Sequence, residues 1–218
     1  MDPQENTTSG FGMDKNERDN TVYELMLGEK GIHDCIQKNI EAGVDLLPAN
    51  VNLAAAEIEL IDEKGKEYIL KKEADKVKEE YDYVIIDCPP SLSMLTINAM
   101  TTADTVLVPI QCEYYALEGL SQLMRTVALV KERLNQKLGI EGIVFTMYDG
   151  RTNLSLQVVE NVKNHIQERV FKTIIPRNIR LAEAPSYGKP INLYEPRSAG
   201  AEAYRLLAEE IMEDNDRK

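Results

Sequence analysis

The segment YDYVIIDCPPS, residues 81–91, decides the fold of this chain. Residues 83–86 are almost wholly apolar and β-branched in part, which is typical of a strand buried on both faces of a parallel sheet. The run ends at Asp87, and Pro89 and Pro90 then prevent further strand or helix. Open α/β sheets bind ligands at the carboxyl ends of such strands. Asp87 is therefore a candidate ligand-organising acid, the alternative being a solvated acid that only ends the strand.

The pattern around this segment alternates between strand and helix, as in a parallel sheet with crossover helices. Further strands are predicted at 105–110, 140–147 and 171–175, and helices at 92–100, 117–134, 154–166 and the C-terminus. Before residue 80, we predict short helices at 21–28 and 32–38, a strand at 44–48 and an amphipathic helix at 70–81. The fold class is thus α/β, with three layers around a mostly parallel sheet, in a single domain over residues 1–218.

Composition narrows the possible functions. The 218 residues are 43% hydrophobic and 28% charged, which is ordinary for a globular domain. Three cysteines far apart and two histidines do not indicate a disulfide framework, a zinc site or a histidine-based triad. The net charge of -12 argues against coating nucleic acid with the whole surface, although a local basic patch within 163–189 remains possible. No signal peptide or spanning segment is visible, so a cytoplasmic location is expected.

The sequence lacks the phosphate-binding motif that usually accompanies an acid placed like Asp87. In nucleotide hydrolases of the phosphate-loop (P-loop) class, an acid placed like Asp87 organises a magnesium ion. Such a sheet also carries G-x-x-x-x-G-K-[ST], whose backbone N–H groups cradle the phosphates. Neither this motif nor G-x-G-x-x-G occurs in the 218 residues.

Long blocks of the sequence resemble the ParA/Soj family of partitioning ATPases, a branch of the deviant P-loop group that also contains MinD. The blocks lie at 2–10, 81–92, 109–123, 146–153, 175–191 and 194–204. In that family a strand, a K-G-G-x-G-K-T loop, a helix and a second strand precede D-x-D-P-Q. Met1 here occupies the x of D-x-D-P-Q. We therefore expect the N-terminal strand–P-loop–helix–strand to be missing, as in a fragment or a gene model begun at an internal Met.

The resemblance assigns roles to particular residues. Asp2 matches the switch residue that orients the attacking water, and Asp87 matches the acid that reaches Mg²⁺ through water. Pro176 and Asn178 fall where relatives contact the adenine, although both residues also favour a plain turn. The two positions through which relatives grip DNA are occupied by Arg151 and Arg180. Without the resemblance, each arginine would be interpreted as a solvated side chain.

Two positions depart from the family pattern. Glu5 stands where many relatives have Gly in D-P-Q-G-N, which would alter the flexibility of the first switch. Ala199 stands where a basic residue is common in Y-D-P-R-S-x-G, which would weaken a basic surface. Neither departure is expected to abolish function.

The implied function is that of a chromosome- or plasmid-partitioning ATPase. It would use ATP and Mg²⁺, form a homodimer when ATP is bound, bind DNA without sequence preference and respond to a ParB-type partner. Its location would be cytoplasmic and nucleoid-associated. A MinD-like membrane role is not favoured, because the tail EEIMEDNDRK is acidic and short. Lacking a P-loop, the 218-residue chain is expected to have little or no ATPase activity. The alternative is a non-catalytic paralogue that binds DNA or a partner and regulates segregation.

Overall fold

A computed structural model describes residues 1–13 and 19–215. It is an α/β structure that divides into two compact units. The first unit contains Met1–Asp104 and Val130–Leu138, and the second contains Thr105–Leu129 and the residues from Gly139 onward.

The first unit is mainly helical with one small hairpin. Its helices are α1 (Asn6–Gly10), α2 (Val22–Met26), α3 (Ile32–Cys35), α4 (Leu53–Glu59), α5 (Ile69–Ala74) and α6 (Met94–Thr102), and its antiparallel strands are β1 (Gln37–Glu41) and β2 (Val44–Leu46). Short 3₁₀ helices cover Lys66–Tyr68 and Lys78–Glu80.

Helix α2 shows how local sequence sets an element boundary in this unit. Thr21 and Glu24 form a capping box, in which the Thr21 Oγ1 accepts a hydrogen bond from the Tyr23 N–H and the Thr21 N–H donates to Glu24 Oε2 at 2.8 Å. These bonds satisfy donors that a helix start leaves unpaired. The helix then buries Leu25 in the core of the unit, where it joins Leu53.

The second unit is built on a three-stranded parallel sheet in the order β3-β4-β5. Its elements are β3 (Thr105–Gln111), α7 (Ala116–Arg133, of which the residues from Val130 are assigned to the first unit), β4 (Gly139–Tyr148), α8 (Asn153–His165), β5 (Val170–Pro176), α9 (Ile179–Glu183), a 3₁₀ turn (Ala184–Tyr187), α10 (Ile191–Tyr194) and α11 (Ala199–Asn215). Apolar side chains from both faces of the sheet form two buried clusters, centred on Phe145 and Phe171.

Strand β5 contains a bulge that helix α11 stabilises. Ile143 of β4 pairs with Val170 and Phe145 pairs with Ile174, so four steps along β5 match two along β4. Within this bulge, the N–H groups of residues 172 and 173 donate to the Glu210 carboxylate at 2.9 and 3.0 Å. Burial alone would raise the pKa of Glu210, but these hydrogen bonds outweigh it and lower the pKa.

Most elements predicted from the sequence are present, with shifted ends. The helix predicted at 32–38 ends at Cys35, and the chain continues into β1, which was not predicted. The amphipathic segment 70–81 divides into α5 and the 3₁₀ turn at Lys78–Glu80. No helix among the described residues is long and apolar enough to cross a membrane.

The prediction that residues 83–86 form a strand buried on both faces was wrong. The segment forms no strand, and the side chains of Val84 and Ile85 are 56% and 91% exposed. A β-strand requires hydrogen bonds to a neighbouring strand, and no strand in the described part of the chain pairs with this segment. The apolar, β-branched composition of the segment favours a buried strand, but most of its residues are exposed.

Candidate functional site

Two of the predicted site residues, Asp2 and Asp87, line the same groove in the first unit. The groove has a volume of about 200 Å³. Apolar side chains from α2, α3, α5 and the exposed segment 83–86 form most of its wall. The groove is therefore largely apolar, and the two carboxylates are among its few polar groups.

The Asp87 carboxylate is held by a residue 80 positions earlier in the chain. The Thr7 Oγ1, in helix α1, donates a hydrogen bond to Asp87 Oδ2 at 2.5 Å. Asp87 itself is exposed at the end of the extended segment. The hydroxyl thus fixes the orientation of a carboxylate that remains accessible.

Asp2 is buried, with 8% of its surface exposed, and its position is fixed by a turn. Its Oδ1 accepts the Gln4 N–H at 2.9 Å, and its carbonyl oxygen accepts the Glu5 N–H at 3.1 Å. This turn leads directly into α1, which carries Thr7. The segment 2–7 thus positions one acid and the hydroxyl that holds the other.

Glu5 also lines the groove, and the sequence did not indicate this. It is 3% exposed, its φ is 60°, and its Oε2 has no hydrogen-bond partner among the described residues. A positive φ is the conformation in which glycine carries no steric cost. The departure of Glu5 from the Gly of the family pattern D-P-Q-G-N was the signal that could have revealed this conformation.

The side chains of the groove do not provide a fully protein-bound metal site. Among the described residues, no group of three or more His, Cys, Asp or Glu side chains could hold a metal ion. Magnesium usually keeps several waters and needs only one or two carboxylates together with phosphate oxygens. Asp87, accessible and oriented by Thr7, supplies one carboxylate of the kind that this smaller requirement needs.

Cys88, next to Asp87, is partly buried, and burial raises the pKa of its thiol. A thiol with a raised pKa stays protonated at neutral pH and is a poor nucleophile. We therefore assign Cys88 a packing role.

Pro176 and Asn178 lie at the carboxyl end of β5 in the second unit. Pro176 is paired with Tyr148 of β4, and Asn178 caps α9 by accepting the Arg180 N–H on its Oδ1 at 2.8 Å. The turn interpretation of Asn178 is thus realised in the structure. Contact of either residue with adenine stays a prediction.

Arg151 and Arg180 follow the carboxyl ends of β4 and β5, which are neighbouring parallel strands of one sheet. Each arginine is exposed and pairs with an acid close in sequence. Arg151 Nη2 lies 2.6 Å from Asp149 Oδ2, and Arg180 Nη1 lies 2.7 Å from Glu183 Oε2. The end of the sheet at which β4 and β5 finish therefore carries two accessible guanidinium groups. Guanidinium groups are well suited to binding phosphate.

Comparisons with known proteins identify the family of the chain. The family model described as "AAA domain" matches residues 1–140. The sporulation initiation inhibitor protein Soj of Bacillus subtilis is 53% identical over 97% of this chain and 83% of its own length. The chromosome partitioning protein ParA of Myxococcus xanthus is 47% identical over 97% of this chain and 75% of its own length.

A solved structure shows the same fold with ligands. Cobyrinic acid a,c-diamide synthase from Mycobacterium smegmatis, with bound ATP analog and magnesium, is 36% identical. It superposes with a TM-score of 0.82 over 95% of this chain and 78% of its own. The fold is thus that of the P-loop nucleotide hydrolases. By identity to Soj and ParA across nearly its whole length, this chain belongs to the ParA/Soj family of chromosome-partitioning ATPases.

Proposed function

We propose that the protein acts as a partitioning ATPase of the ParA/Soj type, in which residues 1–218 belong to a single nucleotide-hydrolase domain whose P-loop is not among them. It would form a homodimer with ATP, bind DNA without sequence preference, and hydrolyse ATP in response to a ParB-type partner. A cytoplasmic, nucleoid-associated location follows from these activities. The observation that carries the proposal is the shared groove of Asp2 and Asp87, with Thr7 fixing the second carboxylate.

The roles proposed for these residues follow from the demands of phosphoryl transfer, in which catalysis consists mainly of positioning and charge neutralisation. Asp87 would hold Mg²⁺ through water, and Asp2 would orient the attacking water. Magnesium, when bound, neutralises the charge of the phosphate oxygens. Pro176 and Asn178 would contact the adenine.

DNA binding is proposed for Arg151 and Arg180. An acidic protein can bind nucleic acid through a local basic edge, and dimerisation would join two such edges, so that the second contact becomes effectively intramolecular. Contacts to phosphates carry no sequence information and weaken as salt is added.

For the 218-residue chain itself we expect little or no binding of MgATP, because its sequence contains no P-loop. Equilibrium dialysis with labelled MgATP tests this, and micromolar binding would overturn it. The codons immediately upstream of Met1 distinguish the proposed ATPase from the alternative function. An in-frame K-G-G-x-G-K-T sequence supports the ATPase, whereas a stop codon and ribosome-binding site support a non-catalytic paralogue that binds DNA or a partner.

The DNA role is tested by replacing the arginines singly with alanine. For Arg151→Ala and Arg180→Ala, we expect weaker binding to duplex DNA at low salt. The slope of log K against log salt should fall by about one for each phosphate that the variant no longer neutralises. Arg205→Ala is the matched control, because Arg205 is a half-exposed arginine paired with Glu202 on α11. Equal weakening in all three variants would contradict a specific role for Arg151 and Arg180.

A further inference from the structure

The carboxylate of Asp149 holds Arg151 along one edge of its guanidinium group. Arg151 Nε donates to Asp149 Oδ1 at 2.8 Å, and Nη2 donates to Oδ2 at 2.6 Å. A guanidinium group has five N–H donors, so this pairing leaves the two on Nη1 and one on Nη2. The Arg151 side chain is 88% exposed, whereas that of Asp149 is only 22% exposed. The remaining fork of donors is thus accessible from solvent.

Asp149 is itself anchored to the start of α8. Its Oδ1 also accepts a hydrogen bond from the Arg151 backbone N–H at 3.1 Å. The Asp149 carbonyl oxygen accepts hydrogen bonds from both the backbone N–H and the hydroxyl group of Thr152. Thr152 in turn caps α8 by accepting the N–H of Ser155, which is buried. The carboxylate therefore belongs to a loop whose hydrogen bonds run into a helix of thirteen residues.

We propose that Asp149 is a positioning residue for phosphate binding by Arg151; this inference rests on the DNA binding proposed above. A long arginine side chain loses rotamer freedom when it binds a ligand, and holding it beforehand removes part of that cost. The free Nη1 and Nη2 fork matches the spacing of two phosphate oxygens, so the preset orientation suits bidentate contact.

The negative charge of Asp149 also repels a phosphate. Removing that charge would therefore strengthen DNA binding if repulsion dominated, and weaken it if positioning of Arg151 dominated. Hydrogen bonds from Arg151 hold the pKa of Asp149 well below its usual range, with a smaller contribution from Arg177. Asp149 is therefore anionic at neutral pH. Arg177 is also exposed and interacts electrostatically with the Asp149 carboxylate, so it offsets part of this negative charge. We therefore expect positioning to outweigh repulsion.

The test is Asp149→Asn in the 218-residue chain, measured by fluorescence anisotropy of a labelled DNA duplex at low salt. Low salt strengthens phosphate contacts, so the basic edge of one chain should bind the duplex without the ATP-bound dimer. Asparagine can still accept the Arg151 backbone N–H but cannot form the charged bidentate pair. Binding should weaken about threefold or more, although a negative charge is removed. Glu202→Gln is the matched control, since it removes one charge and breaks a 2.6 Å pair with Arg205 in the same unit. It should not weaken binding.

A double-mutant cycle separates the possible outcomes. In the Arg151→Ala background, Asp149→Asn should have no further effect, because Asp149 acts only through Arg151. Tighter or unchanged binding by Asp149→Asn alone would overturn the positioning role and identify Asp149 as a competitor of phosphate. If Arg151→Ala leaves binding unchanged, or the unsubstituted chain does not bind, the proposed DNA role fails instead. If Asp149→Asn does not fold, Asp149→Glu provides the test, because it keeps the negative charge but displaces the carboxylate by one methylene group. It should weaken binding, and unchanged binding by this variant would overturn the positioning role.

Discussion

At the scale of single residues, the Asp45 carboxylate connects the hairpin of the first unit to the segment before Asp87. It accepts the Asn39 N–H at 2.8 Å, the Tyr81 hydroxyl at 2.7 Å and the Lys38 ammonium at 3.0 Å. These donors, in that order of importance, lower the pKa of Asp45 to about 2. Tyr81 also lies beneath Lys38, with its ring centroid 5.0 Å from Nζ.

This lowered pKa predicts a specific dependence of stability on pH. An aspartate is deprotonated above a pKa of about 3.9 in the unfolded chain, so the stabilisation is fully present above that value. It is lost as the pH falls towards about 2, where the folded carboxylate also takes up a proton. Asp45→Asn should therefore lower the unfolding temperature at neutral pH. The difference in unfolding temperature between this variant and the unsubstituted protein should vanish as the pH approaches about 2.

Asp75→Asn is the comparison for this measurement. Asp75 pairs with Lys71 and Lys78 on the surface, and exposed pairs of this kind contribute little. Its effect on the unfolding temperature should be small at every pH. A difference for Asp45→Asn that persists unchanged down to the lowest pH would contradict the assignment.

The sequence identified individual groove residues but not how they meet. Asp2 and Asp87 stood out because each lies in a distinctive motif. The bond between Thr7 and Asp87 joins residues 80 positions apart, and no local pattern predicts such a pairing. The buried, positive-φ position of Glu5 was also missed, since its side chain gives no sign of the backbone conformation.

At the scale of elements, two helical glycines in the second unit differ in their surroundings. A Cβ added at Gly119 in α7 would meet nothing within 4 Å, whereas one added at Gly200 in α11 would lie 2.5 Å from Leu181 Cγ. The first glycine only costs backbone entropy, while the second permits α11 to approach α9 closely.

Alanine substitution should therefore have opposite effects at these two glycines. Gly119→Ala should stabilise the protein by about 0.5–1 kcal/mol, because alanine favours helix. Gly200→Ala should destabilise it by about 1–3 kcal/mol, because the added methyl overpacks a filled contact. Urea denaturation measures both free energies of unfolding. If Gly200→Ala also stabilised the protein, helix propensity and not packing against Leu181 would decide the outcome.

Element prediction succeeded where a segment's pattern and its partners agree. Segments 105–110, 140–147 and 171–175 form the predicted parallel strands because they pair with one another. Residues 83–86 have an equally strong strand composition but no partner strand among the described residues, so pattern alone gave the wrong result there. Burial of a strand depends on neighbours that its own sequence does not encode.

At the scale of the whole molecule, the exposed apolar segment 83–86 governs how copies of the chain would interact. Exposed, extended apolar segments with unpaired backbone groups invite strand addition between molecules. The net charge of -12 opposes this association but does not cover the segment.

Ile85→Lys should reduce self-association of the 218-residue chain in sedimentation velocity. It should leave the unfolding temperature nearly unchanged, because Ile85 is 91% exposed. Ile58→Lys is the control. Ile58 is 75% exposed on α4, so this substitution adds the same charge at another exposed apolar position. A large drop in unfolding temperature for Ile85→Lys would show instead that the side chain is packed in solution.

The hydrogen bonds from the β5 bulge to Glu210 make the last helix a structural part of the sheet. The bulge lies immediately before Ile174 and Pro176, so the strand end that the ligand proposal uses depends on a side chain from α11. A fluorescent reporter fused beyond residue 215 should leave these bonds intact. Trimming the helix ahead of Glu210 would release two backbone donors, and the β5 side of the sheet would become a site for foreign strands to attach.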